Sequence, residues 1–229
     1  MTEEILFKEK EIVIPGQVLA KGMGYVPGEG TFREEDNIIA TQLGLAKVNG
    51  RLIKLVPLNG SYVPKEGDVV IGRIAEITFS NWLIDFGFSN FAAISLKDGS
   101  SDYIEKGADL TKYYDYEDYV VTKIVNVTSS NMIDLTMKGP GLRKITGGKI
   151  IEVTASKVPR MIGKQASMIN LIKENTNCQI VIGQNGLVWI KGDKLADEIR
   201  ATDAIMMIEE NAHIEGLTEK VKEFLGGKQ

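Results

Sequence analysis

The chain has 229 residues, of which 43% are hydrophobic and 25% charged, and its formal net charge is −4. This composition is typical of a soluble globular protein with one large domain or two to three small ones, and it excludes wholesale disorder. The single cysteine, Cys178, excludes an internal disulfide and a cysteine-based zinc site, and the single histidine, His213, is interpreted as a solvated surface residue. We therefore expect no bound metal, no cofactor and no histidine-dependent catalytic triad.

The sequence also limits the compartment and the partners. No apolar run approaches the roughly 20 residues of a membrane span, and the N-terminus lacks the basic region and cleavage site of a secretion signal. We expect a cytoplasmic protein without a membrane partner. The net charge speaks against nucleic acid, but residues 148–194 carry seven basic and three acidic side chains, whereas residues 195–229 carry four and eight. A basic segment therefore lies within an acidic chain.

Residues 1–64 combine short β-type runs with turn signals rich in glycine and proline. The dipeptide Asn49-Gly50 directly joins two apolar runs, a pattern that predicts a β-hairpin with a type I′ turn. We predict a small all-β N-terminal domain over 1–64.

Residues 65–147 repeat this pattern with longer strands. A polar stretch, residues 97–118, separates the third strand from the fourth, as in the five-stranded barrel of an OB-fold. Glycines flank Pro140 and predict a joint near 139–148. The five predicted strands are Asp68–Thr78, Trp82–Phe86, Phe91–Ile94, Tyr119–Val127 and Met132–Met137.

Residues 148–229 change from a strand period to a helical one. A strand at Ile150–Thr154 precedes a helical segment that is interrupted at Gly163, and two strands then flank a tight turn. A final helix from about Asp193 to His213 follows, with Asp193 as its N-cap. The predicted order is β-α-α-β-β-α, a third domain over 148–229.

The loop Gly163-Lys164-Gln165-Ala166 is the first candidate site. Two short helices that meet at a glycine leave N–H groups at the start of the second helix, where they attract phosphate. Arg160 and Lys164 add positive charge, so we predict RNA contacts at Arg160, Gly163, Lys164 and Gln165. An ordinary helix-loop-helix with a surface lysine is the alternative interpretation.

This stretch resembles a type I KH domain, whose GXXG loop clamps the nucleotide backbone. Ala166 replaces the last glycine, and its methyl group disfavours a positive φ, so the resemblance implies a weaker clamp. The turn Gly183-Gln184-Asn185-Gly186 resembles the Gly-x-Asn-Gly signature of one KH subfamily, and Asn185 joins the predicted RNA contacts. A plain hairpin turn would also explain it.

The middle domain resembles the RNA-binding OB repeat first described in ribosomal protein S-one. The resemblance implies base-stacking positions at Ser80, Leu83 and Ala93, none of which is aromatic here. Trp82, Phe86 and Phe88 are potential substitutes, although core packing is favoured for the first two. The residues that carry the resemblance are Gly67–Ile74, Ile84–Gly87, Ala93–Ser95 and Lys123–Val127. The predicted phosphate contacts are Arg73, Lys123, Lys138, Arg143 and Lys144.

The domain order, with Val13–Leu19 and Gly28–Phe32, resembles the KH-bearing cap subunit of the archaeal RNA exosome. The resemblance implies a non-catalytic protein that binds single-stranded RNA and directs 3′ ends into a hexameric ring of phosphorolytic RNase PH-like subunits. It also implies a trimeric cap, either uniform or mixed with a zinc-ribbon sister protein, and an N-terminal domain that anchors on the ring. A ribosome- or translation-associated RNA-binding factor is the alternative. In polynucleotide phosphorylase the KH domain precedes the barrel, so that enzyme is disfavoured.

Overall fold

The computed structural model describes residues 3–9, 11–58, 60–212, 214 and 216–226, so His213 lies outside the described residues. The chain divides into two compact units, Met1–Gly60 and Ser61–Gln229. Within the described ranges, no helix combines the length and apolar character that a membrane span requires.

The first unit is built only from strands, as predicted. Two four-stranded sheets, ordered β1-β3-β6-β5 and β2-β7-β8-β4, enclose one core that contains Leu19 and Ile38 from the first sheet and Ile53 and Leu55 from the second. The strands are β1 Glu4–Ile5, β2 Ile12–Val13, β3 Val18–Lys21, β4 Val26–Pro27, β5 Thr31–Glu34, β6 Asn37–Ala40, β7 Gly44–Asn49 and β8 Leu52–Pro57.

The predicted hairpin is present between β7 and β8, but its turn is shifted by one residue. Asn49 remains in the strand and pairs with Leu52, so Gly50 and Arg51 form the connection. Gly50 adopts a positive φ of 63°. The type I′ turn centred on Asn49-Gly50 is therefore wrong, because the left-handed conformation begins only at Gly50.

The second unit begins with a closed five-stranded barrel. Strands β9 to β13 follow the OB topology: β11 and β13 run parallel, and β12 pairs with both β9 and β13 to close the barrel. Each strand end lies within one residue of its predicted position. The strands are β9 Val69–Ile77, β10 Asn81–Asp85, β11 Ala92–Ser95, β12 Tyr119–Val127 and β13 Ile133–Thr136.

The polar connection between β11 and β12 is anchored rather than loose. It contains the short helix α1 (Leu96–Gly99) and a 3-10 turn at Leu110–Lys112. Ile104 and Leu110 insert into the barrel core at 5% and 4% exposure. These two apolar side chains hold in place the stretch that the sequence analysis describes only as a polar connection.

Strand β14 (Arg143–Ile145) lies where the sequence predicts an interdomain joint. It pairs antiparallel with β12, with Val121 opposite Arg143. The joint prediction is therefore wrong at these residues, because they extend the barrel sheet. At the other end of the barrel, the Tyr62 hydroxyl donates to Asp68 Oδ2 at 2.6 Å, so residues that we assigned to the first domain contact the barrel.

The rest of the second unit confirms the β-α-α-β-β-α order. A three-stranded antiparallel sheet, ordered β15-β17-β16, carries the helices on one face. Helix α4 begins after Lys194, so Asp193 is not its N-cap. The elements are β15 Lys149–Glu152, α2 Val158–Ile162, α3 Ser167–Thr176, β16 Gln179–Ile182, β17 Leu187–Lys191, α4 Leu195–Glu210 and an additional helix, α5 Leu217–Gly226.

The opposite face of this sheet packs on the barrel. Trp189 of β17 is 3% exposed and lies in one buried cluster with Ile71, Val121 and Ile145 of the barrel sheet. The Trp189 indole N–H donates to the Gly147 carbonyl at 2.7 Å. The barrel and the α/β module therefore share buried side chains across the boundary predicted at 147/148.

Candidate nucleic-acid interface

The loop between α2 and α3 turns sharply at Gly163. This residue ends α2 with φ 74° and ψ 173°. A Cβ atom at this position would lie 2.9 Å from both the backbone N and the Cβ of Met168. Both the backbone conformation and the close approach therefore require glycine. A 3-10 turn at Lys164–Ala166 then leads directly into α3.

The last two loop positions are left-handed although neither is glycine. Gln165 has φ 50° and Ala166 has φ 60°. Such a conformation costs a non-glycine residue on the order of 1–3 kcal/mol. The Ala166 methyl group packs against the module's core, which offsets part of this cost. The sequence predicts that the Ala166 methyl group disfavours a positive φ. Ala166 nevertheless adopts one, so its backbone is strained.

The predicted contact residues of this loop face solvent. Arg160, Lys164 and Gln165 are exposed. Within the part of the chain that the structure describes, no carboxylate lies at ion-pair distance from Arg160 or Lys164. Two unpaired cations beside the start of a ten-residue helix create a positive region that suits a phosphate.

The turn at residues 183–186 points inward, toward the barrel. The Asn185 side-chain N–H groups donate to the Ile71 and Phe86 carbonyls, both at 2.8 Å, and its Oδ1 accepts from the Ile71 N–H at 3.2 Å. The Gln184 N–H donates to the Val69 carbonyl at 2.8 Å. The Asn185 amide is thus hydrogen-bonded to barrel backbone, which gives this residue an architectural role, and its RNA contact stays a prediction.

Both glycines of this turn are needed, Gly183 where the turn meets the barrel and Gly186 where it meets the KH-like module itself. A Cβ atom on Gly183 would lie 2.3 Å from Asn185 Oδ1 and 2.8 Å from the Ile71 N. Gly186 has φ 88°, and a Cβ atom there would lie 2.2 Å from the Val153 carbonyl oxygen. The signature therefore joins the barrel to the KH-like module.

Two of the predicted phosphate contacts on the barrel are already paired with carboxylates. The Arg73 guanidinium lies 2.7 Å from Glu117 Oε2 and 3.6 Å from Asp85 Oδ2, and its pairing with Glu117 raises the Arg73 pKa. Lys144 forms an ion pair with Asp118. A phosphate would compete with these carboxylates, so both residues are weaker candidates than the sequence indicates.

The remaining predicted cations of the barrel differ in their surroundings. Lys123 and Lys138 are exposed, and no carboxylate of the described residues forms an ion pair with them. The Arg143 guanidinium lies 5.6 Å from the centre of the Trp189 ring. Burial, and then the positive charge of Arg143, lower the pKa of Lys173 in α3. Cations of the barrel and of the KH-like module thus influence each other.

The aromatic side chains proposed as stacking substitutes are mainly structural. Trp82 is fully buried, and its indole N–H donates to the Leu110 carbonyl at 3.3 Å. Phe86 is 2% exposed and stacks on the half-buried Phe88, with 6.0 Å between the ring centroids. The preferred interpretation of Trp82 and Phe86 as core residues is therefore confirmed. Among the described residues of the barrel are five exposed aromatic side chains that the sequence analysis missed, Phe79, Phe91, Tyr103, Tyr113 and Tyr116.

A shallow groove at Ala93, one of the three stacking positions that the resemblance implies, is lined by no aromatic ring. The groove has a volume of about 510 Å³ and contains Ala93 together with two acidic residues, Asp98 and Asp134. Asp134 accepts a hydrogen bond from the Asn126 amide at 3.1 Å. Small and acidic side chains neither stack on bases nor attract phosphate, so this face is poorly suited to RNA.

The fold and the outward loop define a class of proteins. In this class a small N-terminal β domain is followed along the chain by an S1-type OB barrel and then by a KH domain. Comparison with family models gives the same division. Residues 12–49 match the N-terminal region of exosome complex exonuclease RRP4, residues 61–105 match the S1 domain of RRP4, and residues 148–195 match a KH domain.

Full-length relatives extend this match to nearly the whole chain. The exosome complex component Rrp4 of Methanothermobacter thermautotrophicus is 42% identical over 221 residues, which span 96% of this chain and 70% of the relative. The Thermococcus kodakarensis component is 40% identical over 226 residues, 97% of this chain and 88% of the relative. The chain belongs to the Rrp4 family of exosome components.

A solved structure agrees with this assignment. The crystal structure of an exosome complex RNA-binding protein superposes with a TM-score of 0.65 at 33% identity, and the match covers 73% of this chain and 96% of that one.

Proposed function

We propose that this protein is a non-catalytic RNA-binding cap component of an exosome. In this role it binds single-stranded RNA and directs 3′ ends into a hexameric ring of phosphorolytic RNase PH-like subunits. Membership of the Rrp4 family supports the assembly, and the observation that carries the RNA-binding role is the open loop at Gly163–Ala166. We also propose a cytoplasmic location, because the sequence has no apolar run long enough for a membrane span and no recognisable secretion signal.

The loop offers three elements that a phosphodiester backbone requires. Gly163 has no side chain, which lets a phosphate approach the turn closely. Lys164 and Arg160 supply unpaired positive charge, and the start of α3 adds its dipole. None of these groups reads a base, so we expect affinity with little sequence preference.

The grip of a single copy is expected to be weak. The whole chain carries a net charge of −4, and the loop with its flank contributes two exposed cations, Arg160 and Lys164. Several weak sites presented together gain affinity through a high effective concentration. A trimeric cap, uniform or mixed with a zinc-ribbon protein, would supply that gain.

The first unit has the surface expected of a docking domain. Ile12 and Ile14 are each 60% exposed and Val26 is 51% exposed. Ile12 and Val26 belong to β2 and β4, the two edge strands of one sheet. Exposed apolar groups on unpaired strand edges favour contact with another protein, and we assign that contact to the ring.

The experiment uses the full chain, a single-stranded RNA oligonucleotide, inorganic phosphate and magnesium. The protein alone should bind the RNA and release no nucleotide, whereas the protein should co-purify with the RNase PH-like subunits of its own organism. Nucleotide release by the isolated protein would refute the non-catalytic role. Recovery of ribosomal proteins in place of ring subunits would favour the translation-associated alternative.

A further inference from the structure

The barrel has a recess that the sequence analysis did not predict as a site. Of its lining residues, only Lys138 was predicted as an RNA contact. It forms where α1, the loop that follows α1 and the second residue after β13, Lys138, meet, and its volume is about 350 Å³. This volume is at the lower end of the range for small-ligand pockets and suits one nucleotide. The recess is distinct from the groove at Ala93 and from the loop at Gly163. Its lining residues are Leu96, Lys97, Ser101, Asp102, Tyr103, Ile104, Lys106 and Lys138.

The charge of this recess is predominantly positive. Lys97, Lys106 and Lys138 are all exposed, and Asp102 is the acidic residue among the lining side chains. Within the described residues, no ion pair engages any of the three lysines. Three unpaired lysines around one opening contrast with the paired Arg73 elsewhere on the barrel. They are available to an anionic ligand.

An aromatic ring stands in the same recess on a fixed backbone. Tyr103 is 85% exposed, whereas the next residue, Ile104, is 5% exposed in the barrel core and anchors the loop. A second exposed ring lies nearby: a Cβ atom on Gly107 would lie 3.9 Å from the Phe79 ring, and Phe79 is 79% exposed. Exposed aromatic rings interleaved with lysines are the combination that binds single-stranded nucleic acid.

We infer that this recess binds one nucleotide unit of single-stranded RNA, with a base stacked on the Tyr103 ring and the flanking phosphates on Lys97, Lys106 and Lys138. The inference rests on the proposed function, because it presupposes that the protein binds RNA. On this inference, the barrel contacts RNA through the connection between β11 and β12 and not through the stacking positions on its strands. The site uses stacking and charge, so it accepts any base.

The first test compares two exposed tyrosines of the same barrel. Tyr103→Ala should weaken binding of a single-stranded RNA oligonucleotide by about fivefold or more in a fluorescence anisotropy titration of the full chain, because stacking on an aromatic ring is lost. Tyr103→Phe should retain the affinity. Tyr116→Ala is the matched control, since Tyr116 is 55% exposed but lies among the acidic residues Asp115 and Glu117.

The second test asks whether the lysines of the recess contribute more to RNA binding than lysines elsewhere on the surface. The double variant Lys97→Gln with Lys106→Gln should reduce the salt dependence of binding, the slope of log K against log salt, by about 1.4. Lys220→Gln with Lys222→Gln removes two exposed lysines of α5 and should leave the slope nearly unchanged.

The outcomes separate the recess from the wider proposal. If the wild-type protein binds RNA and Tyr103→Ala behaves like Tyr116→Ala, the recess is not an RNA site, although the proposed function stands. If the wild-type protein binds no single-stranded RNA at all, the proposed function itself fails, and the inference fails with it.

Discussion

The KH module contains two four-residue segments that begin with glycine and have polar residues at their centres, yet they face in opposite directions. At Gly163–Ala166 the polar residues Lys164 and Gln165 are exposed, and the loop has strained backbone. At Gly183–Gly186 the Asn185 amide is bound to the barrel backbone through three hydrogen bonds. The first segment is open to a ligand, and the second is an internal joint.

The difference shows that a glycine-rich turn becomes a ligand site or a joint according to what lies opposite it. Glycine permits close approach in both cases. Opposite the first turn there is solvent, and an anion can approach. Opposite the second turn stand the Ile71 and Phe86 carbonyls, which the Asn185 amide satisfies. The two turns therefore make separate and opposite predictions for stability and for RNA affinity.

The largest expected effect is at the joint. Asn185→Ala removes two donors and one acceptor from barrel backbone groups, and it should lower the free energy of unfolding by about 3 kcal/mol, since partly buried polar groups lose their partners. Chemical denaturation followed by the fluorescence of Trp82 and Trp189 measures this change. Asn175→Ala is the control, because Asn175 is exposed and its amide donates one local hydrogen bond to the Leu171 carbonyl within α3. Equal losses in the two variants would contradict the role of the joint.

The next effect concerns the outward loop. Lys164→Glu should weaken binding of single-stranded RNA by about tenfold near 0.1 M salt and flatten its salt dependence, while the free energy of unfolding stays nearly constant. Lys222→Glu makes the same charge change on the exposed surface of α5 and serves as the control in the same titration. Unchanged affinity in Lys164→Glu would assign the grip to the barrel.

The smallest effect tests the strain in the outward loop. Ala166→Gly should raise the free energy of unfolding by about 0.5–1 kcal/mol, because glycine adopts φ 60° without a steric penalty. Ala155→Gly is the matched change at a residue with an ordinary negative φ, and it should lower stability. A loss of stability in both variants would mean that the packing of the Ala166 methyl group outweighs the strain.

Local patterns predicted the elements of this fold well. The barrel strands and the β-α-α-β-β-α order follow from alternating apolar residues and from glycine-rich turns, which act over a few neighbouring positions. Helix α5 was missed, although Leu217, Val221 and Leu225 recur at helical spacing and are buried. That periodicity was the available signal.

The roles of individual polar residues could not be predicted in the same way. Asn185 bonds to Ile71, 114 positions away, and Arg73 pairs with Glu117, 44 positions away. Nothing near either residue in the sequence indicates these partners. Lys97, Lys106 and Tyr103 of the recess likewise lie in a stretch that composition indicated to be a connection, whereas Lys138 was predicted as a phosphate contact. The role of a polar residue depends on partners that are distant in the sequence. Helices and strands depend mostly on neighbouring residues, so the sequence predicts them better.

Photo-crosslinking distinguishes the open loop at Gly163–Ala166 from the internal joint at Gly183–Gly186. A single-stranded RNA containing 4-thiouridine is bound to the full chain and irradiated, and the modified peptides are identified by mass spectrometry. We expect adducts within 160–166, and none within 183–186, where the barrel covers the turn. Adducts on the peptide that contains Asn185, with none at Lys164, would contradict this expectation.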